Sequence, residues 1–207
     1  MNNLAEIAEK MVTPGKGILA ADESTGSITK RFESIKLDST EDNRRDYRHM
    51  LFSATDAMKS YISGVILFDE TIRQKTRTGS SLVEIIKAAG AVPGIKLDKG
   101  PKPLPFSNGE TVTEGLDGLA ERVAEYVQLG AQFAKWRAVI TIGDGIPSHN
   151  CIHANAHALA RYAAICQAGG IVPMVEPEVL MDGDNDIDTC AEVTEWALTE
   201  TFAELRH

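Results

Sequence analysis

The 207-residue sequence has only three cysteines, Cys151, Cys166 and Cys190, an odd number without a C-x-x-C pair. That excludes a disulfide framework and fits reduced thiols. No run approaches the roughly 18 consecutive apolar residues that a membrane-spanning helix needs. Residues Met1 to Met11 lack the apolar stretch followed by small residues that marks a secretory leader. A cytoplasmic protein is the expectation. Basic residues are outnumbered, 21 Lys and Arg against 30 Asp and Glu, for a net charge of −9. Residues 151–207 hold ten acidic and two basic side chains and so carry −8 of that total. Such a chain has no general attraction for nucleic acid or anionic lipid, and neither is expected as a partner. An anionic ligand would have to be held by a local cluster of Lys and Arg. Lysine itself is absent after Lys135.

With 43% hydrophobic and 25% charged residues, the composition is that of a globular chain able to bury a core. A single domain over residues 1–207 is expected. Short apolar, β-branched runs at Gly17–Ala21, Gly64–Phe68, Val92–Leu97, Phe133–Ile142 and Ile171–Val175 read as strands. Helical spacing fills Asp46–Tyr61, Ser80–Ala89, Glu114–Leu129, His149–Ala168 and Asp188–Leu205; in the last, Ala191, Leu198, Phe202 and Leu205 share a face. Strand and helix alternate. Nearly continuous apolar strands about 30–45 residues apart argue for parallel βαβ crossovers and the α/β class.

Open sheets and closed (β/α) barrels share that order, and the polar residues separate them. They collect at the C-terminal end of every strand: Asp22 and Glu23, Asp69 and Glu70, Lys96, Asp98 and Lys99, Lys135 and Arg137, Glu176 and Glu178. Residues two apart in a strand share a face, so Lys96 with Asp98, Lys135 with Arg137, and Glu176 with Glu178 each point one way. Buried charge is costly unless paired or used. The C-terminal rim of a barrel, where active sites of that fold gather, resolves the cost. Trp136, between Lys135 and Arg137, then faces the covering helices and serves the core.

The runs GKGILAADESTGSI (Gly15–Ile28), NRRDYR (Asn43–Arg48), GVILFDET (Gly64–Thr71), GIKLDKG (Gly94–Gly100), AKWRAVI (Ala134–Ile140) and IVPMVEPEVL (Ile171–Leu180) resemble class I fructose-1,6-bisphosphate aldolase, in order and spacing, along essentially the whole chain. The resemblance implies a (β/α)8 TIM barrel, of which about five βα units lie in this chain. It implies cleavage of a sugar bisphosphate through a lysine Schiff base, with no metal and no cofactor, in a homo-oligomer that is a tetramer in the family. It carries roles onto matching positions. Asp22 handles the proton of the hydroxyl beside the broken bond. Lys135 is the second lysine, whose charge keeps a nucleophilic amine free. Glu176 is the acid/base of carbinolamine formation and dehydration, and Glu178 supports it. Lys96, Arg137, Lys30, Arg31 and Arg44 hold phosphates, and Ser24 and Ser27 hydrogen-bond the substrate.

The family's Schiff-base lysine lies on a sixth strand, in a run of the type LLKPNMV, and no lysine of this sequence occupies that place. On this reading the chain matches the first five-eighths of an aldolase and is inactive by itself. The alternative is a non-catalytic module that keeps a phosphate-binding rim or an interaction surface. A further alternative makes Lys135 itself the imine-forming amine. His149, His153 and His157 recur at i, i+4, i+8 and could bind zinc, but read as the solvated face of a helix; no metal is expected. The acidic run Asp182, Asp184, Asp186, Asp188 imitates a calcium loop but has Thr189 where the turn requires glycine, and reads as a solvated loop whose last Asp caps the following helix.

Overall fold

Residues 4–207 are described by a computed structural model; the first three residues of the segment weighed as a leader lie outside it. The elements run α1 (Leu4–Met11), β1 (Gly17–Ala21), α2 (Thr25–Ser34), α3 (Glu41–Phe52), α4 (Thr55–Tyr61), β2 (Ile62–Leu67), α5 (Asp69–Arg73), α6 (Leu82–Ala88) and β3 (Val92–Lys96). They continue as β4 (Pro101–Pro103), β5 (Thr111–Thr113), α7 (Leu119–Gln128), β6 (Phe133–Ile140), α8 (His149–Ala168), β7 (Val172–Val179) and α9 (Ile187–Glu204). All five expected strands form, in one sheet of order β1-β2-β3-β6-β7. This is the strand-helix alternation of the (β/α) barrel class, with five βα units.

Two compact units divide the chain. One comprises residues 1–96, 124–134 and 170–172, the other 97–123, 135–169 and 173–207. In the first, β1, β2 and β3 are parallel, with Leu19 opposite Val65 and Ile66 opposite Gly94. Gln132 N donates to Pro93 O and Val172 N to Gln132 O. The core includes Val65, Leu67, Ile95 and Phe133, all fully buried. Glycine is required where the Phe133 ring lies on the sheet: a Cβ at Gly94 would stand 2.2 Å from the ring and one at Gly64 3.2 Å. The one helix expected over Asp46–Tyr61 is two, α3 and α4, broken at Ser53–Ala54. Phe52 and Met58 are both buried, although six residues apart on a straight helix they would face different ways; the break lets both turn inward. α3 also begins earlier than expected, where Thr40 Oγ1 accepts from Asn43 N at 3.1 Å.

In the second unit Leu180 N donates to Ile140 O and Leu97 N to Lys135 O. The first of these repeats the 40-residue offset of Val172 to Gln132 and makes β7 parallel to β6. β4 and β5 form an antiparallel hairpin absent from the sequence reading. Buried Asn155 of α8 staples it: Thr113 N donates to Asn155 Oδ1 at 3.1 Å, and Asn155 Nδ2 donates to Thr111 O at 2.9 Å. α8 occupies the expected residues, capped by Ser148, whose hydroxyl donates to Glu110 Oε2 at 2.6 Å. Trp136 is fully buried with its ring 5.3 Å from that of Tyr162 on α8, as the alternation along β6 required. The face of α9 is not the one expected. Val193, Trp196 and Ala197 pack on Ile140 and Ile152, while Leu198 and Phe202 are exposed, the latter 57%. The cap of α9 is Asp186, accepting from Thr189 N at 2.8 Å, rather than Asp188. Among the described residues no helix is long and apolar enough to cross a membrane.

Candidate active site

In the first unit, β1 ends at Ala21 and delivers Asp22, which is 8% exposed, and Glu23. Ser24 then caps α2, accepting from Ser27 N at 3.3 Å, with the two hydroxyls 3.1 Å apart. Both serines of the resemblance therefore stand at one helix start, Ser24 half-buried and Ser27 exposed. Further along α2, Lys30 is exposed, and Arg31 reaches back to Glu23 at 2.5 Å. Arg44 of α3 grips Glu70, at the start of α5, with two nitrogens, Nε to Oε2 at 2.8 Å and Nη2 to Oε1 at 2.5 Å. That bidentate bond holds the Arg44 pKa above its ordinary value despite partial burial. Lys96, the last residue of β3, is half-buried.

Sequence reasoning passed over Arg48, a charged side chain of this group that is 0% exposed. It lies one turn beyond Arg44 on α3, and Arg48 Nη2 donates to Glu23 O at 2.6 Å. The Glu23 and Glu70 carboxylates each stand 3.7 Å from its guanidinium, with the Phe68 ring 5.9 Å away. Burial pushes the Arg48 pKa down, against the pull of the two carboxylates. The signal was present in the i, i+4 spacing of Arg44 and Arg48, which puts both on one helix face.

In the second unit polar residues of β6 and β7 face each other pairwise, although Lys135 and Arg137 are the third and fifth of the eight residues of β6 and not at its C-terminal end as expected. Lys135 Nζ is 3.3 Å from Glu176 Oε2, the two side chains 13% and 35% exposed. Arg137 Nε donates to Glu178 Oε2, and that bond holds the Arg137 pKa above its usual value. Asp98, just past β3, accepts from Arg137 N at 3.3 Å and from Gly100 N at 3.0 Å. Burial raises the Glu176 carboxyl above its ordinary range, and neighbouring Lys135 opposes the rise without cancelling it. A carboxyl so placed gives and takes protons closer to neutrality than a free glutamate. The strand alternation that turns Trp136 inward is what leaves Lys135 and Arg137 on the opposite face with these carboxylates.

Comparison with known proteins is consistent across sequence and structure. The model of the family described as fructose-bisphosphate aldolase class-I matches residues 3–207. A Xanthomonas campestris pv. campestris protein named "Probable fructose-bisphosphate aldolase class 1" is 60% identical over 205 residues, 99% of this chain and 61% of its own length. Fructose-bisphosphate aldolase 4, cytosolic, from Arabidopsis thaliana is 56% identical over 193 residues, 93% of this chain and 49% of its own. Among solved structures, the fructose-bisphosphate aldolase of Plasmodium falciparum, crystallised with TRAP and a small-molecule inhibitor, superposes with a TM-score of 0.95 at 50% identity. It covers 98% of this chain and 58% of that one. The chain thus spans about half to three-fifths of the length of the relatives it matches.

Proposed function

The chain belongs to the class I fructose-bisphosphate aldolase family, and from that premise we propose that it serves the reversible cleavage of fructose-1,6-bisphosphate to dihydroxyacetone phosphate and glyceraldehyde-3-phosphate. A lysine amine adds to the substrate carbonyl and water leaves, forming the imine. The carbon–carbon bond then breaks with its electron pair drawn toward the protonated imine, while the hydroxyl beside that bond gives up its proton. Neither a metal nor a cofactor takes part.

The observation that carries this reading is the Lys135–Glu176 pair at 3.3 Å. Glu176, with its raised carboxyl pKa, supplies and removes the protons of carbinolamine formation and dehydration, and Lys135 stabilises its ionised form. Glu178 holds Arg137 in position, Asp22 takes the hydroxyl proton, and Lys96, Arg137, Lys30, Arg31 and Arg44 meet phosphate oxygens. Arg31 and Arg44 exchange the carboxylates of Glu23 and Glu70 for phosphate when they do so. Ser24 and Ser27 hydrogen-bond the sugar phosphate. The complete protein works in the cytoplasm as a homo-oligomer, on the pattern of the family.

The test is cleavage by the complete protein in excess EDTA. Full activity is expected with the chelator, and Glu176→Gln lowers kcat by roughly 10²-fold or more. Activity lost to EDTA and restored by zinc would overturn the metal-independent reaction. A second reading is a phosphate-binding module without catalysis, resting on the cluster of Arg31, Arg44 and Arg48 beside Glu23 and Glu70. Borohydride with dihydroxyacetone phosphate separates the mechanisms on residues 1–207. No covalent adduct is expected, whereas an adduct on Lys135 would make that residue the nucleophile.

A further inference from the structure

Apart from the residues assigned to the reaction, α8 and α9 bring two histidines of one helix face together with two glutamates that the sequence did not link to them. His153 and His157 are one turn apart on α8, and Glu200 and Glu204 are one turn apart on α9. His153 Nδ1 lies 3.2 Å from Glu200 Oε1 and 3.5 Å from Glu204 Oε1. One donor atom from each of these three residues falls within a 4.8 Å cluster. His157 Nδ1 donates to the other Glu204 oxygen at 2.9 Å. His149, the first of the histidine series, is not part of the group; its ring packs 4.7 Å from that of Trp196.

We propose that His153, Glu200 and Glu204 form a Zn²⁺ site that clips α8 to α9. Tetrahedral zinc with bonds of 2.0–2.2 Å to nitrogen and oxygen has donor-to-donor edges of about 3.3–3.6 Å. The two edges from His153 already stand within about 0.1 Å of that range. Closing the third is a matter of rotamers in exposed side chains, with no backbone shift. One neutral imidazole and two carboxylates give a shell of charge −2 that balances the ion, and the −8 of residues 151–207 favours a dication over an anion. His153 offers the Nδ1 lone pair with its proton on Nε2. His157 is the positioning residue: its Nδ1–H fixes the second oxygen of Glu204, the outer-shell contact that metal-binding carboxylates usually have. His153 is 60% exposed, which leaves a fourth position for water.

The probe is Zn²⁺ alone, titrated calorimetrically into the metal-stripped 207-residue chain. One ion per chain is expected. His153→Ala and Glu204→Gln remove the site, and His157→Ala weakens binding roughly 10- to 100-fold, as loss of an outer-shell partner does. Far-UV circular dichroism should be unchanged in all three, since the altered groups are on the surface. Cys190, a free thiol on the same helix, is the competing ligand. Cys190→Ser should leave the affinity unaltered. Co²⁺ in place of Zn²⁺ should give the visible bands of a low-coordinate nitrogen and oxygen site without thiolate charge transfer. Absence of binding, binding unchanged in His153→Ala, or binding lost in Cys190→Ser would each overturn the proposal. It does not depend on the aldolase reading, because no aldolase assay enters the test.

Discussion

Lys135 Nζ stands 3.3 Å from Glu176 Oε2, yet the carboxyl is still pushed upward, because burial against the strands outweighs the attraction of the ammonium. A carboxyl whose pKa rises on folding binds more protons folded than unfolded. Stability therefore falls as pH climbs from its ordinary value of 4.5 through the raised one. Glu176→Gln fixes the uncharged form. It is expected to match the wild type below the ordinary carboxylate range and to gain on it above the raised value, by a small amount since the side chain is 35% exposed. Urea midpoints on both sides of that window check the sign, and a variant that loses stability at neutral pH would contradict it.

Arg48 concentrates the stability cost of the first unit's charge cluster. Removing it leaves Glu23 paired with Arg31 and Glu70 with Arg44, but strips the Glu23 carbonyl of its donor, a loss of about 1–3 kcal/mol. Arg48→Met is expected to lose that much in equilibrium denaturation. Arg48→Lys restores only part, because an ammonium cannot reach both carboxylates and the Glu23 carbonyl together. An unshifted midpoint for Arg48→Met would mean that the cluster relaxes at no cost.

At Gly94 the obstacle is the Phe133 ring, with three of its carbons 2.2–2.5 Å from where a Cβ would sit. The ring is fully buried and has nowhere to retreat. Gly94→Ala should cost about 1–3 kcal/mol, the usual range for overpacking. Combined with Phe133→Leu it should cost less than the two changes summed, and strict additivity would show that the strain lies elsewhere.

Thiol labelling gives a quick check of the second unit. Burial pushes the Cys151 thiol up to about 11 and the Cys166 thiol up to about 12, so both are protonated at neutral pH, whereas Cys190 is half-buried. A thiol reagent should modify one residue rapidly in the native chain, lose that reaction in Cys190→Ser, and reach the other two only in denaturant. Two fast thiols in the native state would contradict the packing around α8.

Three regions were legible in sequence because local rules govern them. Gly17–Ala21 and His149–Ala168 form as read, since an apolar run bounded by turn residues and a long capped periodic stretch leave the backbone few choices. The alternation Lys135, Trp136, Arg137 settled which of the three would be buried, because the strand period is two. Ser24 as a helix cap and the β4–β5 hairpin escaped notice; the hairpin is held by Asn155, 42 residues from Thr113.

By itself the sequence determined the order of strands and helices and the placing of charge at the C-terminal ends of β1, β2, β3 and β7, which follow from backbone periods of 2 and 3.6. Only the tertiary structure decided that Arg48 is buried between two carboxylates, that α9 turns Trp196 and Ala197 inward rather than Leu198 and Phe202, and that His153 meets Glu200 across 47 residues of chain. Periodicity states that a helix has faces; which neighbour covers each face is settled by packing between elements distant in sequence, where side-chain volume and charge pairing act together.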